Sequence, residues 1–439
     1  MITRFFVSSL AAALAIAISV LPTASAADST IVLKAARLFD GKANALVSNG
    51  VVVIQGDKIM AVGANAPLPP DAQVIDLGNA TLSPGFMDAH THLTFDGSVG
   101  HTEAMLRNLQ DEPAKRAYDA LAFARSTIEA GFTTVRDVGA PDFIDVALRD
   151  AIAKGAVVGP RMLVATKGIG ATGGHFDGTN GFRTDLFGKQ PDYTDGIVDG
   201  PEEVRKGVRF EVKHGADVIK ASVSGGVLSL ADEVDTPQLT PAEIAALVEE
   251  SHRLRKKVAV HCHGDTAARD AINAGVDSIE HGSFLKPETL SLMKTKGTAL
   301  VPTLEATEFI MGKLGQYPPA VQEKAKAAAA ARSEMFRNAV KLGVKICFGT
   351  DAGVFPHGTN AKEFALMTGL GMSPLEALRA ATSVNAELLG IAAKVGTLEA
   401  GKLADIIAIP GDPTQDISAT ERIIFVMKEG RIVKQTNQP

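Results

Sequence analysis

From residue 84 to about 395, short apolar runs of strand character alternate with longer helical patterns. No other feature of the chain narrows the fold as much. Strands that return to one sheet through helices run parallel, and a parallel sheet is buried on both faces. The runs end near His90 and then occupy "TTVRDV" (133–138), "RMLVAT" (161–166), "DVIKAS" (217–222), "VAVHCH" (258–263), "DSIEHG" (277–282), "ALVPTL" (299–304) and "KICFGTD" (345–351). Eight such strands predict an α/β chain closed as a (β/α)8 TIM barrel over 84–395 rather than an open sheet. Between them, 240–257 opens with Thr240 as N-cap, Pro241 at the first helical position and Glu243 three residues after the cap. The Ala-rich stretch 320–343 predicts a second strong helix.

The two ends differ from this middle. Residues 31–85 and the stretches 401–412 and 422–433 read as short strands with period two and Gly-punctuated turns. They are expected to pair into a small β-sandwich, its parts at 27–83 and 396–439, with "SPGF" (83–86) marking the crossing into the barrel. Ahead of them, residues 1–26 combine Arg4, an apolar stretch and the small-residue site Ala24-Ser25-Ala26, the pattern of a cleaved signal peptide. A periplasmic or secreted mature protein, free of the membrane, is expected. Cys262 and Cys347 sit in apolar runs and read as two buried thiols.

Charge and aromatic content exclude some partners. The net charge of −6 offers no basic surface for nucleic acid or an anionic membrane. With no Trp and 3 Tyr, stacking platforms for single-stranded nucleic acid are not expected.

In a barrel of this kind the chemistry sits at the C-terminal strand ends. Of the ten histidines, five fall there: His90 and His92 on the first strand, His261 and His263 on the fifth, His281 on the sixth. Lys220 lies on the fourth strand and Asp351 ends the eighth. Positions i and i+2 of a strand share a face, so His90 and His92 can hold one ion together. His261 and His281 can ligate a second, and Asp351 can ligate the first and hydrogen-bond an attacking water. His263 reads as a contact to the substrate carbonyl. A Lys facing inward among histidines is costly when charged, so its pKa should fall and leave a nucleophilic amine. His175, in the Gly-rich loop 169–181, is a substrate-contact candidate, and Arg183 could meet a substrate carboxylate. The loops 173–188 and 224–239 are expected to line the pocket. His214 and His252 read as surface residues of helices; His101 and His357 are undecided.

"DAHTHL", "VIKASVSGG", "VAVHCHG", "SIEHGS", "FGTDAG" and the closing "GTLEAGKLADIIAI" resemble the amidohydrolase superfamily, over nearly all of the mature chain. Within it the chain is most similar to exported imidazolonepropionase-like members acting as Xaa-Pro dipeptidases or carboxypeptidases, the branch that includes ochratoxin-hydrolysing enzymes. The resemblance implies two divalent ions, most simply Zn²⁺, held by His90, His92 and Asp351 on one side and by His261 and His281 on the other. It implies an N6-carboxylated Lys220 bridging them, a hydroxide shared by the ions as nucleophile, and homo-oligomers, often octamers. The expected substrate is a small N-acyl amino acid or dipeptide, with ochratoxin A as a candidate. Two other readings stay open. One is a deaminase or cyclic-amide hydrolase of the same superfamily, of which the deaminase would use one metal and a Glu soon after the fifth-strand His. Here His263-Gly264-Asp265 stands in that place and Lys220 is present. The other is a non-catalytic metal- or solute-binding protein.

Overall fold

Stretches such as 51–54, β-branched at every position, favour strands, and in the computed structural model they join strands from the far end of the chain. The structure describes residues 30–183 and 185–436. The expected signal peptide lies outside them. From the N-terminal part come β1 (Thr30–Leu38), β2 (Val47–Gln55), β3 (Lys58–Val62), β4 (Gln73–Asp76) and β5 (Ala80–Pro84). The parallel strands follow: β6 (Phe86–Thr91), β7 (Phe132–Asp137), β8 (Arg161–Val164), β9 (Val218–Ser222), β10 (Lys257–Cys262), β11 (Ser278–His281) and β12 (Ala299–Val301). The C-terminal end adds β13 (Ile406–Pro410), β14 (Phe425–Lys428) and β15 (Arg431–Gln435).

Both ends do share a sheet. Its order is β15-β14-β13-β5-β1-β2-β3, with β4 on β1, and β13 runs antiparallel to β5 with Ile406 opposite Pro84. Hydrogen bonding assigns all eight strands to this one sheet. Leu33, Val52, Ile54, Leu82, Ile406 and Phe425 form its own apolar core.

In the middle, β6-β7-β8 and β9-β10-β11-β12 are two parallel sheets. Their crossovers carry α1 (His101–Gln110), α2 (Pro113–Glu129), α3 (Ile144–Ala153), α4 (Pro201–Lys213), α5 (Pro241–Arg253), α6 (Asp265–Ala274), α7 (Pro287–Lys296), α8 (Leu304–Gly312) and α9 (Pro319–Leu342). Backbone bonds continue between the sheets. Asp217 N–H donates to the Val164 carbonyl at 2.7 Å, and Ile169 N–H to the Lys220 carbonyl at 2.8 Å. On the other side the stretch 345–351 bridges the edges. Cys347 N–H reaches Leu300 O at 2.8 Å, Ala89 N–H reaches Phe348 O at 3.0 Å, and Asp351 N–H reaches His90 O at 2.8 Å. That stretch was expected as a regular eighth strand, yet it is extended chain with only local pairing. The Phe348 N–H turns away to the Ala380 carbonyl (3.2 Å), and a Cβ on Gly349 would lie 2.3 Å from Val301 Cγ1. Only glycine lets the backbone pass there.

Phe86 and Phe132 open their strands and pack with Phe348 and Phe364, with ring centroids 4.4–5.6 Å apart. This apolar floor closes the N-terminal ends of the strands and leaves the histidines at the opposite rim. α5 starts as its sequence demands: Thr240 Oγ1 accepts from Glu243 N–H, and the Glu243 carboxylate accepts from Thr240 N–H. Thr240→Ala should destabilise the protein by about 1 kcal/mol, measured as a lower urea midpoint at unchanged m-value.

Candidate metal centre and active site

Side chains two apart on a strand share a face, and here that face is the inner rim. His90 lies in β6 and His92 one residue beyond it. His261 lies in β10, with His263 just past its end, and His281 closes β11. The ligand atoms of His90, His92 and Asp351 fall within 4.8 Å of one another, and so do those of His261, His263 and His281. All six residues are largely buried, and Lys220 lines the same cavity with Nζ 3.5 Å from His90 Nε2. His263, expected as a separate substrate contact, is thus grouped geometrically with the pair beside it.

Each ring is held from behind. His90 Nδ1 sits 2.8 Å from Glu280 Oε2, so it donates there and turns Nε2 inward. His92 Nδ1 donates to the Gly139 carbonyl at 3.0 Å, and His261 Nε2 to the Gly225 carbonyl at 3.1 Å. His281 Nδ1 meets Thr303 Oγ1 at 2.7 Å, and His263 Nδ1 meets Ser283 Oγ at 2.8 Å. Glu280 is itself clamped. Arg136 Nη2 donates to Glu280 Oε1 at 2.7 Å, Ser278 Oγ donates to the same oxygen, and Arg136 Nε donates to the Ala89 carbonyl at 2.6 Å. Asp88 ties the first strand to the last, accepting from His90 N–H (3.0 Å), Thr350 Oγ1 (2.6 Å) and Asn360 Nδ2 (2.8 Å). Arg136, Glu280, Asp88 and Asn360 were not singled out in the sequence. The available signal was a charge inside an apolar strand, as in "TTVRDV" and "SIEHG".

Two of the clustered residues occupy left-handed backbone: His281 at φ 69° and Asp351 at φ 66°, with Thr303 beside them at φ 51°. Such residues cost about 1–3 kcal/mol each and persist where the surroundings over-determine them.

The electrostatics favour neutral imidazoles at four of the five clustered histidines; at His92 burial pulls downward, but Asp351 outweighs it and raises the ring. Burial pushes His90 down to about 4, with Lys220 adding to it and Asp351 and Glu280 opposing. Burial holds His261, His263 and His281 well below the ordinary histidine value. Neutral imidazoles are the form that binds cations. Burial would raise the Asp351 carboxyl, but His90, His92 and Lys220 outweigh it and hold the group below its usual range. Burial lowers Lys220 to about 8, against the pull of Glu280 and Asp351. Imidazole and carboxylate donors in two triads suit divalent ions such as zinc.

The cluster floors a cavity of about 380 Å³. His175 and Phe176 reach it from the loop after β8, and Val227 and Leu228 from the loop after β9. His175 stacks on His261 at 4.2 Å and is fixed through Nδ1 to Ser229 Oγ at 3.0 Å. The structure does not bring Arg183 to this cavity. Its side chain is 75% exposed and paired with Asp185 at 2.6 Å, so a neighbouring carboxylate already takes the guanidinium. His357 donates to the Phe95 carbonyl at 2.9 Å, and His252 pairs with Asp277. Cys262 and Cys347 are free and buried.

Parallel strands under a helical cover, with a divalent-metal donor set at their C-terminal ends, define a hydrolase of TIM-barrel-like α/β fold. The amidohydrolase family profile matches residues 81–433. An ochratoxinase from Aspergillus niger is 33% identical over 416 residues, spanning 88% of this chain and 83% of its own. A Xaa-Pro dipeptidase, solved with methionine in its active site, superposes with TM-score 0.88 at 41% identity over 92% of this chain and 99% of its own. An imidazolonepropionase from Symbiobacterium thermophilum is 26% identical over 394 residues, 83% of this chain and 84% of its own. The chain belongs to the amidohydrolase family and is a hydrolase of amide or peptide C–N bonds.

Proposed function

We propose that this protein is an exported, two-zinc amidohydrolase that cleaves the amide bond of N-acyl amino acids or dipeptides, with Xaa-Pro and ochratoxin-type amides as first candidates. One observation carries the reading: two donor triads, each within 4.8 Å, and a buried lysine share the lining of one cavity. In this reading His90, His92 and Asp351 hold one ion, and His261 and His281 the other. The Lys220 amine would take up CO2, forming an N–C bond and releasing a proton, and the resulting carbamate would supply two anionic oxygens for the ions. When bound, the ions supply positive charge that polarises the scissile carbonyl and lowers the pKa of a water. Asp351 accepts the proton of that water as its oxygen bonds to the carbonyl carbon. It then delivers the proton to the nitrogen as the C–N bond breaks, releasing a carboxylic acid and an amine. His263, with Nδ1 engaged by Ser283, donates from Nε2 to the carbonyl oxygen.

The same reading includes a signal peptide at 1–26, a closed (β/α)8 barrel at 84–395, end segments 27–83 and 396–439 folded as a small sandwich, a periplasmic or secreted location and a homo-oligomer. The test is metal analysis of the purified protein beside an assay of N-acyl amino acids, Xaa-Pro dipeptides and ochratoxin A. About two ions per chain and amide cleavage are expected. One ion with release of ammonia would instead indicate a deaminase, and full occupancy without hydrolysis a binding protein. Lys220→Ala should lower the metal content and the activity together while far-UV circular dichroism stays unchanged.

A further inference from the structure

A buried guanidinium without an anion is costly, because desolvation is offset only by a well-placed partner. α9 presents two buried cations to the interior, Lys324 and Arg332. Lys324 is satisfied: its Nζ lies 3.0 Å from Asp232 Oδ1 and 2.7 Å from the Ser229 carbonyl. Arg332 is not. The residue is 5% exposed, Nη1 donates to the Thr303 carbonyl at 2.9 Å, and Nε has no hydrogen-bond partner among the described residues. Among the described residues no carboxylate oxygen lies within 4.0 Å of it. Glu363, the acid that acts on it most strongly, engages its two oxygens with the backbone N–H groups of Leu304 (2.9 Å) and Glu305 (2.7 Å). Arg332 lines the same cavity as the histidine cluster, and the small residues Ala325 and Ala328 on its helix keep the approach open.

We propose that Arg332 is the anchor for a carboxylate on the substrate, so that the cavity selects amides bearing a free carboxylate close to the scissile bond. This rests on the amide-hydrolase reading above and assigns the carboxylate contact that Arg183 does not make. A planar guanidinium suits it, since the two donors match the two oxygens. The competing explanation is structural: through Thr303, which holds His281, Arg332 would merely position a ring.

Acid-versus-amide selectivity separates the two. Metal-loaded protein is titrated calorimetrically with L-phenylalanine and with L-phenylalaninamide, then with the corresponding N-acetyl compounds. The wild type should bind the acids more tightly. Arg332→Met should weaken acid binding roughly 10- to 100-fold and leave amide binding within about twofold. Arg332→Lys, which keeps the charge without the fork, should fall between them and is read instead if the Met variant does not fold. Equal binding of acid and amide by the wild type, retained discrimination in the variants, or no binding of either ligand overturns the proposal. Dipeptide turnover in the same preparation reports separately. Hydrolysis without acid preference refutes the anchor alone, whereas acid-selective binding without hydrolysis refutes the hydrolase reading alone.

Discussion

Asp351→Asn is expected to lower kcat by about 100- to 10,000-fold, the usual contribution of a positioned general acid–base group, while metal content stays close to wild type. The substitution preserves volume. An amide oxygen can still face His92 Nε2, now 3.3 Å from Asp351 Oδ1, and the backbone N–H still reaches the His90 carbonyl. What is lost is an anion that can take a proton and return it. Asp351 suits that role because His90, His92 and Lys220 hold its carboxyl below the usual range despite its burial. Turnover of more than about one tenth of wild type, with metal content verified, would remove Asp351 from proton transfer and leave it a ligand only.

Breaking the Arg136–Glu280–His90 chain should have the largest effect on stability. Arg136 is 2% and Glu280 0% exposed, so Arg136→Met strands a buried carboxylate and should cost about 3–5 kcal/mol. Because Glu280 also orients His90, metal affinity should fall about 10- to 100-fold. Adding Glu280→Gln removes the stranded charge and should restore part of the stability; a double-mutant cycle by chemical denaturation measures the coupling. The pH dependence follows from the same pair. Burial alone would raise the Glu280 carboxyl, but Arg136 and His90 prevail and bring it down to about 2, from an ordinary 4.5. The folded chain therefore binds fewer protons at Glu280 than the unfolded one. Its contribution is complete above about pH 4.5 and declines as pH falls toward 2. A wild-type acid-unfolding curve that Arg136→Met does not alter would exclude this chain as a source of acid lability.

The parallel strands were legible because each apolar run is followed by a helical period, and the histidines because they interrupt those runs at their last residues. His90, His92, Lys220, His261, His281 and Asp351 come together in space as their strand-end positions suggested. The supporting residues were harder to see. Arg136 and Glu280 are charges within apolar strands, and only the registry of neighbouring strands reveals that they face each other. Asp88 stands inside the quoted "DAHTHL", yet its partners Thr350 and Asn360 are remote in sequence. Arg183 shows the opposite case: a loop arginine read as a carboxylate contact is left exposed and paired with Asp185, because loop sequence does not carry the course of the loop. The last strand lost regularity for a similar reason: Val301 crowds Gly349 from a different strand.

The clasp made by Asp88 bears on how the protein is made. His90 and His92 emerge early in synthesis, whereas Asp351 and its neighbours Thr350 and Asn360 emerge late. The donor set they share with Asp351 exists only after the last parallel segment has docked beside the first, through His92 N–H on the Ala352 carbonyl at 2.8 Å. The triad of His261, His263 and His281 is drawn from two adjacent strands and has no such dependence. The donor set that includes Asp351 thus depends on two segments far apart in the chain having docked, whereas the other triad needs only the pairing of adjacent strands.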